Sequence, residues 1–429
     1  LSARDVLSIR GSSGQTAGYG LAPLDGEHHG EHHSYDRIFW LAYLSNGLTT
    51  LANGMLVRYS DFVHLYGGDE RQLGLIVGCG MIGSIVFRLA QGDAVDRYGA
   101  SRVWFWSVVV YSFSLLLHLW LVSANGPGVF LARIMMQASL AGVFSSSITF
   151  VALRARPERM AEVIGMLGTS GFIGLMLGPA ISDWLGRDGV GPGMVQKMFG
   201  VSATLAFTSA IATFLASRGS VRPTAHVRPN LFEVVIRYQP WLLSITAAVM
   251  GAGFSIPMTF LRPFAIESKL GGIALFFLVY AGTGFAARLA SRSLFSRYGN
   301  RPWICLGLTL LTISYFSYVP IAKTWHLIFP AMIAGAAHAL LFPSVMSEGT
   351  RAFPRQYLGV ATALMLTMFD VGTFISAPLI GLFLHSTKAY TAEPYMWLFA
   401  GIAALFACHT TLYCVLSAAV RPRNGKEAR

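Results

Sequence analysis

Apolar runs of twenty or more residues recur along the chain, each broken by a short polar stretch carrying Arg, Asp, Gly or Pro. A bilayer core about 30 Å thick is crossed by about 20 apolar helical residues. On that measure the pattern predicts twelve membrane helices, over residues 38–64, 72–92, 103–123, 127–152, 161–186, 194–217, 241–266, 272–295, 302–321, 325–350, 356–386 and 394–420. The predicted fold class is an all-α membrane protein of two pseudo-symmetric six-helix bundles. The N-terminal bundle covers 38–217 and the C-terminal bundle 241–420. Residues 218–240, with two Arg-Pro pairs, form the linker. Residues 1–37 are polar and rich in Gly, Ser and His, without the apolar core of a signal peptide, and read as a disordered tail. Residues 421–429 form a second tail.

The halves echo each other. FRLAQGDAVDRYGASRVW (87–104) matches ARLASRSLFSRYGNRPWI (287–304) at an offset of 200 residues, aligning Arg88 with Arg288, Arg97 with Arg297 and Gly99 with Gly299. Arg154-Ala155-x-Pro157 matches Arg351-Ala352-x-Pro354. Two similar apolar halves point to a transporter, in which repeats rock about a shared midplane site.

Composition sharpens this picture. Hydrophobic residues make up 54% of the 429 and charged residues 12%, against about 25% charged in a soluble domain. The net charge of +12 would suit nucleic acid, but 21 of the 32 basic residues fall on one side of the predicted helices and seven on the other. That bias places both termini in the cytoplasm and explains the charge as membrane topology, with no nucleic-acid partner. Cys79, Cys305, Cys408 and Cys414 lie in apolar segments without metal-ligand spacing and read as buried thiols.

The loop after the second helix reads Gly92-Asp93-Ala94-Val95-Asp96-Arg97-Tyr98-Gly99-Ala100-Ser101-Arg102. It resembles the G-x-x-x-D-R-x-G-x-[RK]-[RK] motif of the major facilitator superfamily, with Ala100 and Ser101 departing from the usual basic residues. The fifth helix carries Gly174, Gly178 and Pro179 and resembles the G-x-x-x-G-P motif of the superfamily's drug:proton antiporter branch, which includes multidrug and metallophore efflux. Small residues there permit close helix contact and the proline permits a bend. Arg133 and Gln137 lie near an R-x-x-Q-G pattern with one extra residue. The resemblance implies the major facilitator fold, a monomer and alternating access. It also implies a cytoplasmic latch of Gly92, Asp96, Arg97, Gly99 and Arg102 that holds the outward-open state. Arg88, Arg288 and Arg297 are placed beside that latch, pairing with carbonyls or acids or snorkelling. Ser296 stands where the second copy would carry the Asp.

Ionisable groups inside membrane helices default to function. Asp370, near mid-bilayer in the eleventh helix, is the candidate proton carrier, the alternative being an Asp bonded to a neighbouring helix. His338 in the tenth helix is either a packed histidine or a proton relay. Arg133 could meet an anionic substrate or Asp370. Asn46 and Asn53 share a face of the first helix, lining the cavity or joining helices. Phe254, Met258, Phe276, Tyr280, Phe342, Met365 and Phe369 group on helices seven, eight, ten and eleven as a greasy pocket. His28, His29, His32 and His33 could bind a transition metal weakly, a solvated spacer being the plainer reading. Gly78-x-Gly80-x-x-Gly83 has no strand before it and is rejected as a dinucleotide site, and no Walker A motif is present.

The expected function is proton-coupled efflux of small amphipathic molecules by a non-enzymatic carrier without cofactor, in a plasma membrane such as the bacterial inner membrane. The alternatives are uptake of a sugar, organic acid or metal complex by a symporter or uniporter, and a non-transporting receptor of the same fold.

Overall fold

The structure is a computed structural model that describes residues 35–156, 159–218, 231–291, 299–354 and 357–419. The tail histidines His28, His29, His32 and His33, the latch residue Arg297 and the tail 421–429 lie outside the described residues.

The first predicted span is broken. It runs as α1 (Arg37–Met55), a 3-10 turn at Leu56–Arg58 and a short α2 (Tyr59–Leu65). The break occurs where Arg58 turns its guanidinium toward the Ser182 carbonyl at 3.1 Å. Then follow α3 (Glu70–Tyr98), α4 (Ala100–Leu117), α5 (Pro127–Arg154), α6 (Met160–Leu185) and α7 (Pro192–Ser217). The linker holds a helix the apolar pattern did not predict, α8 (Leu231–Tyr238), whose Val234 packs with Phe353, Ala361 and Leu364. The second half continues with α9 (Trp241–Glu267), α10 (Ala274–Ser291), α11 (Asn300–Phe316), α12 (Ile328–Arg351), α13 (Leu358–Thr387) and α14 (Pro394–Ala419).

Local chemistry sets the ends. Asp36 and Asp69 accept hydrogen bonds from the backbone N–H groups of Phe39 and Gln72, both at 2.8 Å, capping α1 and α3. Pro127 and Pro192 open α5 and α7, where a missing N–H costs nothing. The internal echo has a structural meaning. Gly99 and Gly299 precede α4 and α11 with φ of +86° and +71°, a backbone region that disfavours a side chain. Arg154 and Arg351 each end a helix.

Ten described helices are long and apolar enough to cross a membrane. Two of the twelve predicted spans fall outside that ten: α1, which carries Ser45, Asn46, Thr49, Thr50 and Asn53, and α11, with 17 residues. Helices α1, α3, α4, α5, α6 and α7 pack among themselves, as do α9 to α14. The groups meet along α3 against α13 and α6 against α10.

One end of the bundle, the near end, carries Tyr35, Gly99, Gly299 and Arg351; the far end carries Glu70, Glu267 and Thr387. Toward the far end α3 and α13 touch backbone to backbone. A Cβ on Gly74 would strike the carbonyl of Ala377, and one on Gly381 that of Glu70. Gly74→Val should therefore lower stability by about 1–3 kcal/mol, the usual cost of overpacking. Thermal unfolding in detergent checks this, with Gly92→Val, in open space, as the control.

Candidate functional site

The predicted aromatic group assembles around His338 of α12. Phe254 of α9 stacks on its ring at 4.3 Å and 15°, and Phe342 lies 5.7 Å away. The Tyr280 hydroxyl of α10 makes a short hydrogen bond with His338 Nδ1. Phe342 meets Phe369 of α13 at 6.2 Å. Three helices thus bring Phe254, Tyr280 and Phe342 onto one histidine, and α13 adds Phe369 behind Phe342.

Asp370 lies about 18 Å along α13 from its near end, at a rise of ~1.5 Å per residue. It faces α3 across the junction of the two groups. Arg88 Nε donates to Asp370 Oδ2 at 2.6 Å, and Ser84 Oγ donates to the same oxygen at 2.5 Å. The Arg88 and Asp370 side chains are 13% and 8% exposed, so the pair is almost dry. Arg88, placed by the sequence beside the latch, is here the counter-ion of the candidate proton carrier.

Arg133 lies elsewhere. Its guanidinium stands 4.4 Å over the Tyr59 ring, and the Tyr59 hydroxyl hydrogen-bonds with His118 Nε2 at 3.1 Å. That cluster belongs to the first six-helix group, so Arg133 does not meet Asp370. Asn46 joins helices: its Nδ2 donates to Ser170 Oγ of α6 at 2.7 Å. Asn53 is half-buried on α1. Gly174 and Gly178 give α6 its contact with α1, where Cβ atoms would strike Thr50 and Gly54, and Pro179 lies inside α6. His409 hydrogen-bonds with Thr246 Oγ1 at 3.1 Å, tying α14 to α9.

Gly92 has open space around it, Arg97 lies over its neighbour Tyr98, and Arg102 is exposed. Among the described residues Asp96 makes no ion pair, and Arg288 makes none either. The cysteines are less buried than expected, Cys408 being exposed. No metal-binding cluster occurs among the described residues.

The sequence reading missed a buried charge network at the far end. Arg58 Nε pairs with Asp61 Oδ2 at 2.6 Å, and Arg262 Nε of the second half reaches Asp61 Oδ1 at 3.1 Å. Arg58 also approaches Asp183 at 3.6 Å, and Asp183 Oδ2 accepts the backbone N–H of Ala274 at 2.7 Å. The basic-residue bias counts Arg58 among the groups outside the membrane, yet its side chain and that of Asp61 are at most 2% exposed. Lys388 bridges Glu70 at 2.6 Å and Glu267 at 3.2 Å, and His385 pairs with Asp69 at 2.7 Å. Partial burial opposes the Lys388 charge, but the two glutamates outweigh it and raise the ammonium above its ordinary value. This tie is complete below the ordinary lysine value and is lost as pH rises through the raised one. The halves are thus sealed by charge at the far end.

The model of the Major Facilitator Superfamily matches residues 39–377 and 273–428. The MFS-type transporter YhhS of Escherichia coli K12 is 25% identical over 190 residues, covering 43% of this chain and 45% of YhhS. Its Salmonella enteritidis counterpart is 25% identical over 210 residues, 48% and 50% of the two chains. The chain thus spans about half the length of the curated relatives it matches. Among solved structures, a point variant of the nucleoside transporter NupG superposes with a TM-score of 0.74 at 13% identity, over 88% of this chain and 99% of NupG. An auto-inhibited POT family peptide transporter gives 0.75 at 11%, over 92% and 99%. At such identities the likeness is one of fold. With the helical fold, the two-group architecture and a matching family model over nearly the whole length, the chain belongs to the major facilitator superfamily of membrane transporters.

Proposed function

We propose that this chain is a proton-coupled secondary transporter of small amphipathic molecules, working by alternating access as a twelve-span monomer. In this reading α1 and α11 also span the membrane, and the near end, with both termini, faces the cytoplasm of a plasma membrane. The far-end seal then describes an inward-facing carrier. No cofactor takes part; the proton is the coupling ion.

The Arg88–Asp370 pair carries the proposal. It joins the halves near the middle of the membrane, and a carboxylate there is retained for a reason. Protonating Asp370 removes the negative charge that Arg88 neutralises, so the pair weakens and the interior gains a positive charge. One proton crossing 100 mV supplies about 2.3 kcal/mol toward the cycle.

Linkage fixes which substrate charge goes with which direction. Protonation that adds positive charge weakens a bound cation, giving exchange and export. It strengthens a bound anion, giving co-transport and uptake. Export is the direction the α6 motif suggests, but Gly174 and Gly178 are accounted for by packing on α1. Arg88 already neutralises Asp370, the carboxylate at mid-helix depth, so it is not available to a cation. That observation favours the second reading, uptake of an acidic molecule with a proton.

The test is reconstitution in vesicles with a pH-sensitive dye inside, challenged with lipophilic cations and organic acids. Substrate-evoked proton flux that is absent in Asp370→Asn is the expected result. Flux of equal size in the variant would remove Asp370 as the coupling group.

A further inference from the structure

The internal repeat aligns Arg88 with Arg288, and the contacts between the halves are paired in the same way, α3 on α13 and α6 on α10. At the first contact Arg88 has Asp370. At the second, the 197- to 200-residue offsets of the two echoes carry Asp370 onto residues 170–173 of α6, and residues 163–182 contain no acid. Arg288 is therefore the two-fold mate of Arg88, with no carboxylate at the matching place.

It stands on the face of α10 that Tyr280 and Gly284 turn inward. Tyr280, Gly284 and Arg288 follow at i, i+4 and i+8, on one face of α10. Tyr280 on that face bonds His338, and a Cβ on Gly284 would lie 3.2 Å from the Phe172 ring of α6 and 3.3 Å from the Gly335 carbonyl of α12. Arg288 is exposed, one turn from the described end of α10 and toward the near end. The stripe thus presents a guanidinium with no ion-pair partner among the described residues about 12 Å, at ~1.5 Å per residue, below an aromatic cluster.

We propose that Arg288 anchors the anionic group of the substrate, a carboxylate whose apolar body lies against the Phe254–His338–Phe342 rings. A guanidinium matches a carboxylate through two parallel hydrogen bonds. The anchor rests on the transporter reading and adds a substrate class to it. It also explains why the empty carrier would not leak protons. Closing the near end brings α6 and α10 together over Arg288, and burying a lone cation is costly. A bound carboxylate supplies the missing mate and lets that contact close as α3–α13 does.

The experiment uses the full chain in phosphatidylcholine nanodiscs and measures binding of benzoate, 3-phenylpropionate and indole-3-acetate beside their amides and the matching amines. At least one carboxylate should bind ten-fold or more tighter than its amide in the wild type. Arg288→Gln should remove that preference, and Arg288→Lys should keep part of it. Equal binding of acid and amide by the wild type, or a preference that survives Arg288→Gln, would overturn the anchor. An anionic lipid headgroup offers the same charge. If phosphatidylglycerol in the disc abolishes the preference, the site belongs to lipid and the substrate assignment falls. Asp370→Asn is measured in parallel: proton flux persisting there, with the acid preference still dependent on Arg288, would remove the coupling group and leave the anchor standing.

Discussion

Arg88→Leu should destabilise the folded protein by about 3–5 kcal/mol, because it strands the Asp370 carboxylate in a nearly dry site. Asp370→Leu alone should cost a similar amount by stranding Arg88, whose long side chain can partly recover by reaching toward water. The double variant Arg88→Leu/Asp370→Leu should recover most of the loss, since replacing both charges of a buried pair by apolar groups is near neutral. Unfolding midpoints of the four proteins give the coupling directly. Purely additive losses would show that the two side chains do not act as a pair. Transport separates stability from function. The double variant should fold yet show no proton-driven accumulation, and the wild type's response to a pH gradient should vanish with it. A stable double variant that still accumulates substrate against a proton gradient would move coupling to another group.

Much of the fold was legible because it rests on local or periodic signals. The apolar runs located α3 to α7 and α9 to α14, with ends up to six residues off, as at Tyr98 of α3 and Leu117 of α4. The repeat identified Gly99 and Gly299, whose positive φ any sequence at that bend must accommodate. The break after Met55 was not legible, since it follows from Arg58 reaching a carbonyl 124 positions away. Helix α8 was hidden in a linker by its length of eight residues. At the site, burial made Asp370 and His338 visible as candidates, but partners are set by packing. Asp370 meets Arg88 across 282 positions and Asp61 meets Arg262 across 201, and no spacing rule spans such distances. The available signal for Asp61 was a charged pair, Arg58 and Asp61, at i and i+3 near the end of an apolar run. Two opposite charges there mark a buried ion pair as readily as a loop.

Asp61→Ala should open the far end. The carboxylate serves two guanidiniums at once: Arg58 from its own half and Arg262 from the other. Removing it leaves two cations facing each other with only Asp183 nearby, a loss on the order of 3–5 kcal/mol. The Arg58 part arises within one half and lowers stability in every conformation. The Arg262 part exists only while the far end is closed, so its loss shifts the carrier toward the opposite state. If roughly 1.4–2.8 kcal/mol of the total is of this second kind, the open population rises about ten- to a hundredfold. Met258 lies one turn deeper than Arg262 on the same face of α9, behind the network. In a background lacking Cys79, Cys305, Cys408 and Cys414, Met258→Cys should react with a membrane-impermeant maleimide slowly, and ten- to a hundredfold faster when Asp61 is replaced. Arg262→Leu separates the two contributions, because it leaves Asp61 paired with Arg58 and removes only the tie between halves. It should therefore raise the labelling rate while lowering the unfolding midpoint less than Asp61→Ala does. Lower stability with an unchanged labelling rate in both variants would make the network a brace within the first half and transfer the far-end seal to Glu70, Glu267 and Lys388.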